Sequence, residues 1–314
     1  MTASGAAGAR VRVVVGGREF TARSGVAELG SARPVPVGGR FRIAGVTTTF
    51  TAAVVLRLVA EGRLSLDDAV SAYLPGPLPD GDAITVRMPL GHTSGLRDHS
   101  ADLVGDLSRD WEPRELVALS TAHPLDFAPG TSWRHSNTGY VVAGLLVEQV
   151  TGRSWARAVR ERVVEPLRSR GTTLPGHRTS IPGPHAHGYA VRDGQPVDVT
   201  AMNPSVGWAA GEIISTTADL DTVTEALFDG RLVAPAQLAE MTTPVGAGYG
   251  LGLSTSTVSC GVRVWGHSGD VPGFHTLVAS TRDGGTRMVL SLTAATRPLP
   301  QQGYRDLVEG VFCP

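Results

Sequence analysis

Lysine is absent from this chain: all 28 of its Lys/Arg positions are arginine. A guanidinium stays protonated at any working pH, so the protein has neither a lysine general base nor a lysine Schiff base. Cysteine is scarce, with Cys260 and Cys313 alone, and in a reducing compartment such a pair is expected as free thiols without a redox role. Long apolar runs are missing, since no stretch approaches the roughly 18 residues of a membrane span. The opening Met1-Thr2-Ala3-Ser4-Gly5-Ala6-Ala7-Gly8-Ala9-Arg10 has no charged start followed by an apolar segment, which gives no leader signal. A cytoplasmic protein with no membrane partner is the expectation. Excess charge is lacking too: a net charge of -1 offers nothing to nucleic acid. A small-molecule partner is expected, and the oligomeric state cannot be read.

A chain of 314 residues can bury a sizeable core. Arg10 to Val15 and Glu19 to Ala22 read as two strands joined by Gly16-Gly17, a hairpin signal. From Val46 the pattern changes. Phe50, Val54, Val55, Leu58 and Val59 recur at helical spacing until Glu61-Gly62 supplies a stop, which predicts a buried helix with Gly45 at its N-terminus. Leu66 to Val70 reads as a short helix ended by the Pro75-Gly76 turn. Further helices are predicted over Pro113 to Ser120, Thr138 to Val150, Trp155 to Val164 and Ala218 to Leu227. Strands are predicted over Gly250 to Ser254, Val262 to Trp265, His275 to Ser280 and Met288 to Thr293. No internal repeat or long linker is evident.

Several ordered motifs carry a resemblance. They are Gly45-Val46-Thr47-Thr48, Gly62-Arg63-Leu64-Ser65-Leu66-Asp67-Asp68, His92-Thr93-Ser94-Gly95-Leu96, Pro129-Gly130-Thr131, His135-Ser136-Asn137, Glu165-Pro166-Leu167 and Gly266-His267-Ser268-Gly269-Asp270. Together they resemble, over nearly the whole chain, the β-lactamase-related family of class C β-lactamases, D-Ala-D-Ala carboxypeptidases and related esterases. The resemblance implies an α+β fold of the β-lactamase/transpeptidase type: an antiparallel sheet flanked by helices, with an inserted mainly helical region. Residues 1–47 and 205–314 would form the sheet-containing lobe and 48–204 the helical lobe, with the site between them. No cofactor or metal is implied; His185 and His187 have only an H-x-H spacing, which is weak evidence for a metal.

Three motifs form the family's site. The first, S-x-x-K, places a hydroxyl and an amine on one face of a helix N-terminus; here Gly45 and Thr48 replace both. Gly45 either leaves room for a substrate group while its N-H faces an oxyanion, or is the mark of a decayed enzyme. Thr48 keeps a hydroxyl that can bond a ligand but cannot act as a base. The second, Y-x-N, appears as His135-Ser136-Asn137. An imidazole exchanges protons near neutrality without the cation a tyrosine would need, which suits a site without lysine; the alternative is a surface histidine. The third is intact as His267-Ser268-Gly269, and the resemblance implies that the N-H of Asp270 is the second oxyanion donor. Asn137, Ser268 and Gly269 would touch substrate.

Glu212 stands where relatives usually carry a small residue, so it adds a carboxylate near the cleft or a solvated loop charge. Trp208 and His275 are candidates for the pocket wall, with core packing and a strand-face position as alternatives. His92 is read as structural. Loss of a nucleophile and base that act as a unit costs on the order of 10⁶ in rate, so ordinary β-lactamase or carboxypeptidase activity is not expected. The expected function is non-covalent acid/base chemistry by His135, with His267 or Glu212, on a carbonyl-containing intermediate of secondary metabolism: proton transfer, dehydration, isomerisation or cyclisation. The alternatives are a ligand-binding protein without catalysis, and a residual esterase or amidase using Ser94, Ser136 or Ser268.

Overall fold

The computed structural model describes residues 5–76, 78–103, 108–294 and 301–313; the first four residues of the segment read above for a leader lie outside that set. Among the described residues there are ten strands: β1 (Ala6–Val15), β2 (Arg18–Gly25), β3 (Phe41–Arg42), β4 (Tyr189–Arg192), β5 (Gln195–Asp198), β6 (Ile214–Ser215), β7 (Ser254–Thr257), β8 (Arg263–Val271), β9 (Phe274–Ser280) and β10 (Thr286–Ala294). The α-helices are α1 (Thr47–Ala60), α2 (Arg87–Gly91), α3 (Pro113–Thr121), α4 (Asn137–Thr151), α5 (Trp155–Val159), α6 (Trp208–Gly211), α7 (Thr217–Phe228), α8 (Pro235–Thr242) and α9 (Gln301–Phe312). Six strands form one antiparallel sheet in the order β2-β1-β10-β9-β8-β7. The first and last described strands, β1 and β10, therefore pair in one sheet.

Strand alternation explains how that sheet is covered on both faces. Val11 and Val13 of β1 pack with Leu307, Val308 and Val311 of α9. The intervening Arg12 bonds Asp221 of α7 at 3.2 Å, and Arg287 of β10 reaches the same carboxylate at 2.6 Å. Helix α1 is buried nearly all round, as expected of an apolar helix at the centre of a large core. Polar residues inside it are satisfied across elements: Thr51 donates to the Ala209 carbonyl at 2.7 Å and accepts from the Trp155 indole at 3.1 Å. Helix α4 lies beside α1 and ends at Gly152, whose φ of +64° makes the left-handed cap that glycine tolerates.

The hairpin, α1, α3, α4 and α7 fall where the sequence places them, to within a few residues. Trp155 to Val164 is also helical, although its second half widens into a π-turn over Arg160–Val164. Three expectations need correction. Leu66 to Val70 is not a helix: Val86 N-H donates to the Asp68 carbonyl and Val70 N-H to the Ile84 carbonyl, so the segment pairs with a neighbouring stretch, and Asp68 and Ser65 bond local backbone instead of supporting a helical turn. Gly250 to Ser254 is not a strand either, because Gly252, at φ +79°, packs against Ala52 of α1 where a side chain would overlap; pairing starts at Ser254. Finally, Cys260 and Cys313 are not free thiols. They form a disulfide with Cα atoms 5.8 Å apart, joining the β7–β8 turn to the end of α9.

Candidate active site

A single 3-10 turn, Ala44–Val46, leads into α1. Ala44 takes a φ of +49°, an uncommon conformation for a residue with a Cβ, and this tight entry presents Gly45 to β8. A Cβ on Gly45 would lie 3.0 Å from the Ser268 carbonyl and 3.5 Å from the His267 ring. Reciprocally, a Cβ on Gly269 would overlap the Ile43 carbonyl and sit 2.7 Å from the Gly45 nitrogen. Two glycines are what allow the turn and the strand to touch. The contact is possible because β8 outruns its neighbour: β7 pairs only Arg263 to Gly266, leaving the His267 to Val271 edge open to the helix turn. Val264 and Gly266 carbonyls face β7, where Thr255 and Ser254 hydroxyls bond them. By alternation the Ser268 carbonyl and the Asp270 N-H also face that side.

Behind the turn lies a buried polar chain. The Thr48 hydroxyl donates to the Gly45 carbonyl at 2.8 Å and lies 3.1 Å from His267 Nε2. The Tyr249 hydroxyl is 2.9 Å from the same nitrogen, and 3.3 Å from the Tyr140 hydroxyl, which donates to the Leu90 carbonyl at 2.7 Å. His267 Nδ1 is 2.6 Å from the Ser268 carbonyl, an acceptor only, so Nδ1 carries the proton and Nε2 accepts from Tyr249. Burial lowers the His267 pKa to about 4 and raises that of Tyr249 to about 12. Imidazole and phenol are both neutral at pH 7, and the space around Thr48 is filled with mutually satisfied groups.

At the other side, the half-exposed His135 places Nδ1 3.4 Å from Asp98. Asp98 also accepts from the Asn137 backbone and amide at 3.2 and 3.1 Å and from Ser100. Although burial opposes ionisation, these bonds, His135 first, hold its carboxyl far below the usual range. The pair thus sets an anion against a half-exposed imidazole. The His92 ring lies tilted against His135 with centroids 4.6 Å apart and is equally close to Tyr249. It accepts the Ser136 N-H at Nδ1, 3.2 Å away, so Nε2 carries its proton. Burial, with the two neighbouring imidazoles, keeps His92 well below the ordinary histidine range. Around it the buried His92 Nε2, Trp133 Nε1 and Ser136 Oγ have no hydrogen-bond partner.

Of the residues singled out from sequence, the structure brings together Gly45, Thr48, His267 and Gly269 in one cluster, and His135 with Asn137 in the adjoining one. Others lie elsewhere. Ser268, Asp270 and His275 project from the sheet face opposite His267; Asp270 and His275 pair with each other, and the His275 ring sits 4.6 Å from Tyr304 of α9. Only the backbone of Asp270 faces the Gly45 turn. Trp208 lies against Trp155, 5.6 Å between rings, and over Gly144. Glu212 is buried, not solvated, with no side-chain partner for its carboxylate; burial raises its pKa to about 8, opposed by the Gly176 backbone and with no imidazole among the causes. None of Ser94, Ser136 or Ser268 bonds an imidazole through its hydroxyl: Ser94 accepts the Leu96 N-H, Ser136 is unpartnered and Ser268 faces away.

Three contributors escaped the sequence reading. Asp98 has no local signature, being recruited by the fold 37 residues before His135. His92 was set aside as structural, yet its ring joins the two clusters. Tyr249 did carry a signal, an isolated aromatic within Gly246-Ala247-Gly248-Tyr249-Gly250-Leu251-Gly252, since glycines cluster where backbone must approach closely.

A sheet packed between helices, with a strand edge set against the N-terminal turn of a buried helix, is the β-lactamase/transpeptidase-like fold. The Beta-lactamase family model matches residues 1–309, and the chain belongs to that family. It is similar to a D-stereospecific amidohydrolase from Streptomyces sp., at 39% identity and a TM-score of 0.91 over 99% of this chain and 95% of that one. It is similar also to the D-amino acid amidase of Ochrobactrum anthropi SV3 bound to D-phenylalanine, at 26% identity and a TM-score of 0.90 over 99% and 95%. Penicillin-binding protein 4* of Bacillus subtilis (strain 168) is 26% identical over 81% of this chain and 60% of its own length. The chain spans about six-tenths of the length of curated relatives it matches.

Proposed function

We propose that the protein holds a small carbonyl compound against the Gly45 turn and performs non-covalent acid/base chemistry on it through His135. The observation that carries this reading is the Asp98–His135 pair, an oriented imidazole beside a position with neither nucleophile nor base. Asp98 holds the tautomer with the proton on Nδ1, leaving Nε2 to take a proton. The Gly45 and Asp270 N-H groups are the donors for the oxyanion that develops; such a donor contributes roughly 3 kcal/mol, for an enolate as for an acyl intermediate. His267 has a different part: neutral, with Nε2 engaged, it positions Tyr249 and Thr48 instead of moving protons. Glu212 has no place in this chemistry.

The relatives' names supply the ligand class to try first, D-amino acid amides. Proton abstraction next to the amide carbonyl is read directly as deuterium uptake at Cα of D-phenylalanine amide in D₂O. Exchange is expected with the native protein and is expected to fall roughly 100-fold or more in His135→Ala, the usual scale of general acid/base catalysis, with no covalent adduct in the intact mass. Exchange unchanged by His135→Ala, or a stable acyl adduct, ends this reading. A second reading, a ligand-binding protein without catalysis, is favoured by the self-satisfied Thr48–His267–Tyr249–Tyr140 chain, which leaves no free base behind the turn; saturable binding without exchange would select it.

A further inference from the structure

On one side the main sheet ends in β2, and the hairpin geometry fixes which way that strand's backbone points. Gly16 N-H donates to the Gly285 carbonyl, just before β10, so by alternation Val15, Val13 and Val11 turn their N-H and C=O groups towards β2. Their partners Arg18, Phe20 and Ala22 face back. Val26, of the same parity, confirms this by donating to the Ala7 carbonyl. Glu19, Thr21 and Arg23 therefore direct their backbone groups away from the sheet, and among the described residues no hydrogen bond reaches those groups. We propose that β2 pairs antiparallel with β2 of a second copy of this chain, Glu19 opposite Arg23 and Thr21 opposite Thr21 on a two-fold axis.

The edge carries none of the usual defences. Exposed edge strands are commonly kept short, bulged or blocked by proline, and β7, at the other edge, has four residues. Strand β2 has eight, all exposed and none of them proline, in a register with β1 that runs without a shift. Apolar surface accompanies the open backbone. Phe20 is 58% exposed and Val15, across the hairpin end, 43%. Phe20 and Ala22 stand opposite Val13 and Val11, so they lie on the sheet face that α9 covers only in part. In the paired edge each Phe20 meets the second copy's Ala22, with the two phenyl rings in diagonal reach of one another.

Charge selects both the occupant and the register. An axis at Glu19 or at Arg23 would set like charges opposite, which destabilises a pair of strands. An axis at Phe20 or Ala22 would leave both charges facing neutral residues. With the axis at Thr21 every Glu19 faces an Arg23, and the match is repeated by symmetry, which only a second copy of the same strand provides. Both side chains can take part: Glu19 is half exposed although it pairs with Arg12, and Arg23 spends one nitrogen on the Val35 carbonyl at 3.0 Å. A two-fold contact of this kind closes on itself, so association stops at a dimer with one continuous sheet.

The test is sedimentation velocity of the full chain from about 1 to 100 µM, the range in which a contact of modest area operates. A concentration-dependent dimer is expected. Thr21→Pro removes an outward N-H that the single chain does not use, and proline is tolerated at such an edge, so the variant should stay monomeric with a melting temperature close to native. Glu19→Arg and Arg23→Glu, made separately, each set like charges opposite and should weaken association more than about tenfold. An equimolar mixture of those two variants restores opposite charges at both positions and should form a heterodimer about as tight as the native pair, which separates lost pairing from lost folding. A chain still monomeric at the highest concentration, a dimer indifferent to Thr21→Pro, or no recovery in the mixture would overturn the proposal.

Discussion

At the residue scale the most consequential buried acid is Glu212. Its carboxyl is buried with no charged partner and its pKa is raised from 4.5 to about 8, because burial disfavours the charged form and only the Gly176 backbone opposes it. Between those values the folded protein holds a proton that the unfolded chain releases, so stability is greatest below about 4.5 and falls as the pH rises towards 8. The loss reaches at most about 5 kcal/mol, at 1.36 kcal/mol per unit. His267 acts in the opposite sense: its folded pKa of about 4 lies below the ordinary 6.5, so its contribution is lost as the pH falls through that interval. Comparing Glu212→Gln with the native protein isolates the glutamate. Urea unfolding from pH 5 to 9 should show the variant gaining several kcal/mol relative to native at the alkaline end and little at pH 5. A constant difference across that range would mean that Glu212 is solvated in the folded state. The family resemblance implies that a carboxylate replaces a small residue; only the fold shows that it is buried without a charged partner.

The element scale turns on the contact between β8 and the turn before α1. Gly269→Ala places a Cβ against the Ile43 carbonyl and Gly45 nitrogen, both backbone, so strand and turn must separate. A loss of about 3 kcal/mol or more is expected in equilibrium unfolding, at the upper end for overpacking, together with loss of deuterium exchange. Stability within 1 kcal/mol of native would mean the strand edge can shift freely. This junction was half legible. The motif His267-Ser268-Gly269 and the apolar period after Val46 located both partners, because each is a long patterned run whose burial dictates its spacing. The hairpin of β4 and β5, with exposed residues on most of its length, and α9, whose single apolar face meets the sheet, were not predicted. What escapes there is tertiary: polar strands in a small ribbon carry no hydrophobic alternation, and a side chain such as Asp98 acquires its role from a neighbour 37 residues away.

For the whole molecule, the question is what fastens the last helix to a sheet whose other strands come from both ends of the chain. Spacing could not answer it, since two cysteines 53 residues apart read equally as free thiols. In the fold, Cys260 sits at the turn that ends β7 and Cys313 just past α9, with Glu309 receiving the Ser259 N-H at 3.0 Å beside them. The disulfide therefore closes a loop containing β8, β9, β10 and α9, including the strand that carries His267. On the chain-entropy model, a loop of that length contributes about 4 kcal/mol by restricting the unfolded chain. Part of that is offset if α9 holds by its packing on Val11 and Val13 alone. Cys260→Ser with Cys313→Ser should lower the unfolding free energy, read from urea melts, by about 2 to 4 kcal/mol and abolish any further effect of dithiothreitol, while the native protein falls to the same midpoint when reduced. Thiol titration of the denatured, unreduced native protein should find no reactive cysteine. Two reactive thiols, with a midpoint indifferent to reductant, would restore the free-thiol reading and leave the apolar face of α9 as the sole fastening of the chain's end.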